Sequence, residues 1–99
     1  MSNVPKKRTM TGYVKEGTAS TTKQEFSVVS EYGEPVHVGY IACDSGTLIV
    51  LLNDSWRFSL PATGGEPKFE FKRGDDIEIQ TIQLFTTSST AAFRINLWP

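Results

Sequence analysis

The sequence predicts an all-β domain: a small antiparallel β-sandwich, or a jelly roll or barrel, of about 7–8 strands with an extended N-terminal arm. Three observations predict it. Beyond residue 24 the apolar residues recur with period two. Turn signals built on Gly, Asp and Ser fall about 8–12 residues apart, the spacing of a meandering β fold. No long window carries a helical period with caps. A chain of 99 residues has room for one core. Its 38% hydrophobic and 11% aromatic content is that of a globular chain rather than a disordered one.

The elements follow in order. Residues 1–24 are polar, broken by Pro5, Gly12 and Gly17, and carry few large apolar side chains: Val4, Met10, Tyr13 and Val14. Such a segment cannot form a core by itself. Within it residues 9–14 are expected to be extended, because Thr, Tyr and Val suit strands. The body is residues 25–99. Its first strand is expected over residues 26–32, ending at the turn Gly33-Glu34-Pro35. Val36, Val38, Tyr40 and Ala42 then alternate with His37, Gly39 and Ile41, up to the turn Asp44-Ser45-Gly46.

Thr47–Leu52 is apolar on both faces and reads as a central strand covered on each side. After Asn53-Asp54-Ser55, the residues Trp56, Phe58 and Leu60 alternate with Arg57 and Ser59, which places Trp56 in the expected core. A longer loop over 61–67 leads to Phe69 and Phe71, and Arg73-Gly74-Asp75 makes the next tight connection. Ile77 and Ile79 share one phase and Ile82 and Leu84 the other, so a β-bulge is expected near residues 80–82. Ala91, Phe93, Ile95 and Leu97 close the pattern, with Trp98 on the opposite face, where it is a candidate interface residue.

Charge divides the chain. Residues 1–24 hold Lys6, Lys7, Arg8, Lys15 and Lys23 against Glu16, a surplus of four positive charges. Residues 25–99 hold five basic residues against ten acids, a surplus of five negative ones. A basic arm on an acidic body suits docking on an acidic partner. Fixing about 20 residues costs roughly 20–40 kcal/mol. Four apolar side chains cannot offset that against one small body, so a neighbouring chain is the expected anchor, through strand addition to a sheet edge. The residues expected to make that contact are Lys6, Lys7, Arg8, Met10, Tyr13, Val14 and Lys15.

Little in the chain suggests catalysis. The single histidine, His37, and the single cysteine, Cys43, lie on one expected strand about 20 Å apart at strand rise, too far for a nucleophile and its base. One histidine and one cysteine do not make a metal cluster, and the acids Asp44, Asp54, Asp75 and Asp76 sit in turns, where carboxylates bond local backbone. No cofactor is expected. Arg73-Gly74-Asp75 spells the integrin-recognition tripeptide, but Gly-Asp is ordinary hairpin chemistry. Lys6-Lys7-Arg8 would neutralise about three phosphates, while the acidic body repels a phosphate backbone, so no specific nucleic acid is expected. The longest apolar stretch is far shorter than the ~20 residues that span a bilayer, no signal peptide is visible, and no membrane is expected. Exposed Trp or Tyr can stack on sugar rings, which makes Trp56, Trp98, Tyr32 and Tyr40 candidates for glycan contact.

A short polar arm, a Ser/Thr-rich β body and the closing run Ser88-Ser89-Thr90-Ala91-Ala92-Phe93-Arg94-Ile95-Asn96-Leu97-Trp98 together resemble small structural proteins of tailed bacteriophage virions. Capsid decoration, or cement, proteins are the nearest of these. The resemblance lies in the layout of the chain, so no residue of a family site is carried over. It implies a non-enzymatic protein that binds across neighbouring major capsid subunits and stabilises the shell. The implied partners are the major capsid protein and copies of itself, as a homo-oligomer. The implied location is the virion, after synthesis in the host cytoplasm. The rival expectations are a tail, head-tail adaptor or receptor-binding β module, and a carbohydrate-binding β-sandwich.

Overall fold

A computed structural model describes residues 12–62 and 68–99. Among them lie eight strands and one short helix: β1 Tyr13–Ala19, β2 Gln24–Ser27, α1 Val28–Tyr32, β3 Val38–Ser45, β4 Thr47–Leu52, β5 Trp56–Pro61, β6 Lys68–Phe71, β7 Thr81–Phe85 and β8 Ala91–Trp98. They form two four-stranded antiparallel sheets, ordered β1-β8-β3-β6 and β2-β7-β4-β5. The pairs are nested. β4 pairs with β5, β3 with β6, β2 with β7 and β1 with β8, and successive pairs alternate between the sheets. The chain is thus one long double strand, turned at residues 53–55 and wrapped around its own core.

The period-two pattern decides which side of each strand faces inward. On β8, Ala91, Phe93, Ile95 and Leu97 are buried while Arg94 and Trp98 are exposed. Leu48, Val50 and Leu52 of β4, with Ile82 and Leu84 of β7, meet them from the other sheet, and Ile41 and Cys43 of β3 flank them in their own. Burying each such side chain contributes about 1.5–3 kcal/mol. β4 lies between β7 and β5, the interior position expected of a strand apolar on both faces.

Four expectations need correction. First, of the arm expected over residues 1–24, the described part, from residue 12 on, belongs to the body. β1 pairs with β8 of the same chain from Tyr13↔Leu97 to Ala19↔Ala91, and Gln24 opens β2. Counting apolar side chains alone undervalued this segment, which gains a ladder of backbone hydrogen bonds and buries Tyr13 and Ala19. Lys6, Lys7, Arg8 and Met10 lie outside the described residues.

Second, the strand expected over 26–32 stops at Ser27 and becomes α1. Val28 and Tyr32, four apart, bury one face of that single turn, and Gly33 ends it at φ +102°, donating its N–H to the Val29 carbonyl. Tertiary contact has overridden the strand preference of Val28 and Val29.

Third, Trp56 is 45% exposed rather than in the core. It ends a row of rings in which Phe58 and Phe69 lie 4.8 Å apart and Phe69 and Phe71 5.5 Å apart. These rings close the side of the molecule between β5 and β6, each the edge of its sheet.

Fourth, the phase slip between Ile79 and Ile82 comes from a kink between two separate pairings, not a bulge within one strand. Ile79 makes an isolated bridge to Val36, and β7 begins only at Thr81. Asn53 holds the kink: its Oδ1 accepts the Gln80 and Thr81 N–H groups at 2.7 and 3.2 Å, and its Nδ2 donates to the Glu78 carbonyl at 2.7 Å.

Candidate binding face

Cross-strand register builds a surface on the outer side of the β1-β8-β3-β6 sheet. Directly paired residues share a face, so Val14, Asn96, Tyr40 and Glu70 form one row across all four strands. Glu16, Arg94, Ala42 and Lys68 form the row on one side, and Trp98 with Val38 the row on the other. The surface is therefore charged at one end and apolar at the other. Val14 is 51% exposed and Trp98 36%.

Arg94, at the centre of the charged row, is held by an ion pair from outside it. Arg94 donates from Nε and Nη2 to the two Asp44 carboxylate oxygens at 2.8 and 2.9 Å. That contact holds the Asp44 carboxyl below the usual carboxylate range and raises the Arg94 guanidinium. Lys68 Nζ stands 5.5 Å and the Arg94 guanidinium 5.9 Å from the centre of the Tyr40 ring. Both cations belong to the Ala42 row, so they brace Tyr40 from one side. On its other side an open cleft of about 460 Å³ is lined by Val38, Tyr40, Glu70, Lys72, Asp75 and Trp98.

The expected contact residues divide by strand parity. Val14 and Trp98 come together on this outer face. Tyr13 and Lys15 point the other way, toward α1: the Tyr13 hydroxyl donates to Glu31 Oε1 at 2.9 Å, and Lys15 Nζ lies 3.1 Å from the same oxygen. Burial first, and then Glu31, push the Tyr13 phenol well above its ordinary pKa. Of the four aromatic candidates for glycan contact, Tyr40 and Trp98 share the cleft. Tyr32 is buried against Tyr13, and Trp56 sits in the ring row described above. Sequence reading missed Glu70, Lys72 and Asp75 as neighbours of these rings, because only the pairing of β6 with β3 brings them there.

The other reactive side chains are engaged locally. Cys43 is fully buried, its thiol aimed at the Ser45 and Gly46 carbonyls and pushed up in pKa by burial. His37 Nε2 lies 3.4 Å from Glu78 Oε1, and Gln80 together with His37 holds the Glu78 carboxyl below its usual range. In the Arg73-Gly74-Asp75 turn the two side chains that recognition would need fold back. Arg73 donates to the Pro99 carbonyl, and Asp75 Oδ2 accepts the Lys72 N–H at 2.8 Å. Among the described residues no three of His, Cys, Asp or Glu are grouped to hold a metal ion. In comparisons with known proteins, no family model, no curated protein and no solved structure matches the chain.

Proposed function

We propose that the chain is a non-enzymatic structural protein of a virus particle, of the bacteriophage capsid-decoration kind, which binds across major capsid subunits and stabilises the shell. One observation carries the reading: the nested strand order. β1-β8-β3-β6 facing β2-β7-β4-β5 supports reading the body as a jelly roll of two Greek keys, an architecture that recurs in virus coat and lectin domains. The outer face that leaves Val14 and Trp98 bare adds a surface for contact with the shell or with copies of the chain.

In this reading the docking arm is residues 1–11, shorter than residues 1–24. It carries Lys6, Lys7, Arg8 and Met10 and joins the body at Gly12. A Cβ at Gly12 would lie 2.8 Å from the Trp98 indole nitrogen, so the arm's root is against Trp98. The basic triplet would meet acidic capsid groups at an interface whose strength falls with salt.

The test adds purified chain to emptied shells of the virus that encodes it, prepared without the protein. Saturating attachment and a higher shell-disruption temperature are expected. Absence of attachment overturns the reading.

A further inference from the structure

The cleft between Tyr40 and Trp98 combines exposed ring surface with polar groups that have few partners among the described residues. Trp98 is 36% exposed, and its row partner Val38, two residues before Tyr40 on β3, also lines the cleft. Along the rim and among the described residues, Lys72 makes no side-chain ion pair and Glu70 has a single 3.8 Å approach, from Lys68. Asp75 uses one carboxylate oxygen on the Lys72 N–H.

We propose that this cleft binds a neutral saccharide, a pyranose ring lying against Trp98 and Tyr40 while its hydroxyls bond Glu70, Lys72 and Asp75. The proposal is independent of a role in a virus particle.

Four observations choose this ligand class. The negative faces of aromatic rings attract the C–H edges of an apolar sugar face. The rim offers both acceptors and a donor, and a hydroxyl group can satisfy either. Two carboxylates against one ammonium disfavour an anionic ligand, whereas a purely apolar one would offer nothing to the Lys72 ammonium or to the free carboxylate oxygens of Glu70 and Asp75. The volume of about 460 Å³ lies within the usual span of small-ligand sites.

The site is also pre-organised. Val38 and Tyr40 stand on β3 and Trp98 on β8, the two interior strands of their sheet. Lys68 and Arg94 brace Tyr40, and the Gly12 backbone abuts Trp98. Little ordering is then required when a ligand arrives.

The test uses the chain with Trp56→Phe, which leaves Trp98 as its single indole. Maltotriose, cellotriose, N,N′,N″-triacetylchitotriose and lactose are titrated while indole fluorescence is followed, with sialyllactose as the anionic comparison. At least one neutral sugar is expected to bind with a Kd of about 0.1–1 mM. By NMR titration of the chain with Trp56 intact, Tyr40→Ala and Trp98→Ala are each expected to weaken binding about tenfold or more, close to 1.4 kcal/mol. Glu70→Ala changes an exposed side chain and is expected to weaken binding several-fold with an unchanged melting temperature, so it decides the matter should a ring variant fail to fold. The proposal is overturned if no neutral sugar perturbs Trp98 at about 10 mM. It is equally overturned if binding survives Trp98→Ala and Glu70→Ala, or if sialyllactose binds more tightly than lactose.

Discussion

Glu31 ties the first strand to the helix through a single carboxylate oxygen shared by Tyr13 and Lys15. Partial burial pushes its pKa up, but the Tyr13 hydroxyl and Lys15 outweigh that and hold it below the usual range. A depressed folded pKa stabilises the protein above the unfolded value of about 4.3, and that contribution disappears as pH falls through the folded value. Glu31→Ala should therefore cost about 1–2 kcal/mol at pH 7, chiefly by leaving the buried Tyr13 hydroxyl without its acceptor. The exposed Lys15 pair adds little. Urea titrations of both proteins should show the gap narrowing toward pH 3. Gly39 is a second sensitive point. It sits in β3 at φ +140°, where a Cβ would overlap the Asn96 carbonyl and approach Leu97 Cα to 2.8 Å. Gly39→Ala should lose about 3 kcal/mol or more in the same measurement. Neither residue stands out in the sequence. Glu31 is one acid among eleven, and the demand on Gly39 comes from a strand more than fifty positions away.

Elements were legible where one face of a strand is buried and the other wet. β8 reads inward and outward without a break, and both its span and the outward position of Trp98 follow from that alternation. β4 was legible as an interior strand for the opposite reason, being apolar on both sides. The helix was not legible, since Val28 and Val29 favour strands and only the burial of Val28 and Tyr32 turns the backbone. Trp56 was misread because phase places a side chain on a face but does not say whether the facing sheet reaches that far. The turn at Asn53 shows how elements are stitched together. Asn53 adopts φ +54° and serves three backbone groups of the segment beside β7. Asn53→Ala should cost about 2–4 kcal/mol by freeing those groups and straining the turn, read as a lowered denaturation midpoint. Asn53→Asp, which keeps the acceptor but not the donor, should lose less.

At the scale of the whole molecule, the all-β class and the strand count follow from period and turn spacing, but the nesting of the pairs does not. Nothing local in Tyr13–Ala19 says that its partner is Ala91–Trp98. That is why polar residues before position 24 read as an arm seeking a neighbour. The corrected boundary separates two deletions. Removal of residues 1–11 should leave the melting temperature within a few degrees while abolishing attachment to shells. Removal of residues 1–19 takes away the edge strand with Tyr13 and Ala19 and should prevent folding, as far-UV circular dichroism would show.

The outermost pair of the wrap also sets a timetable for biosynthesis. The β4–β5 hairpin can close as soon as it emerges, but β1 must wait for a strand translated almost the whole chain later. Until β8 clears the ribosome, the facing backbone edges of β1 and β3 lack the strand that pairs between them, an opening through which the nascent protein is exposed to wrong pairing.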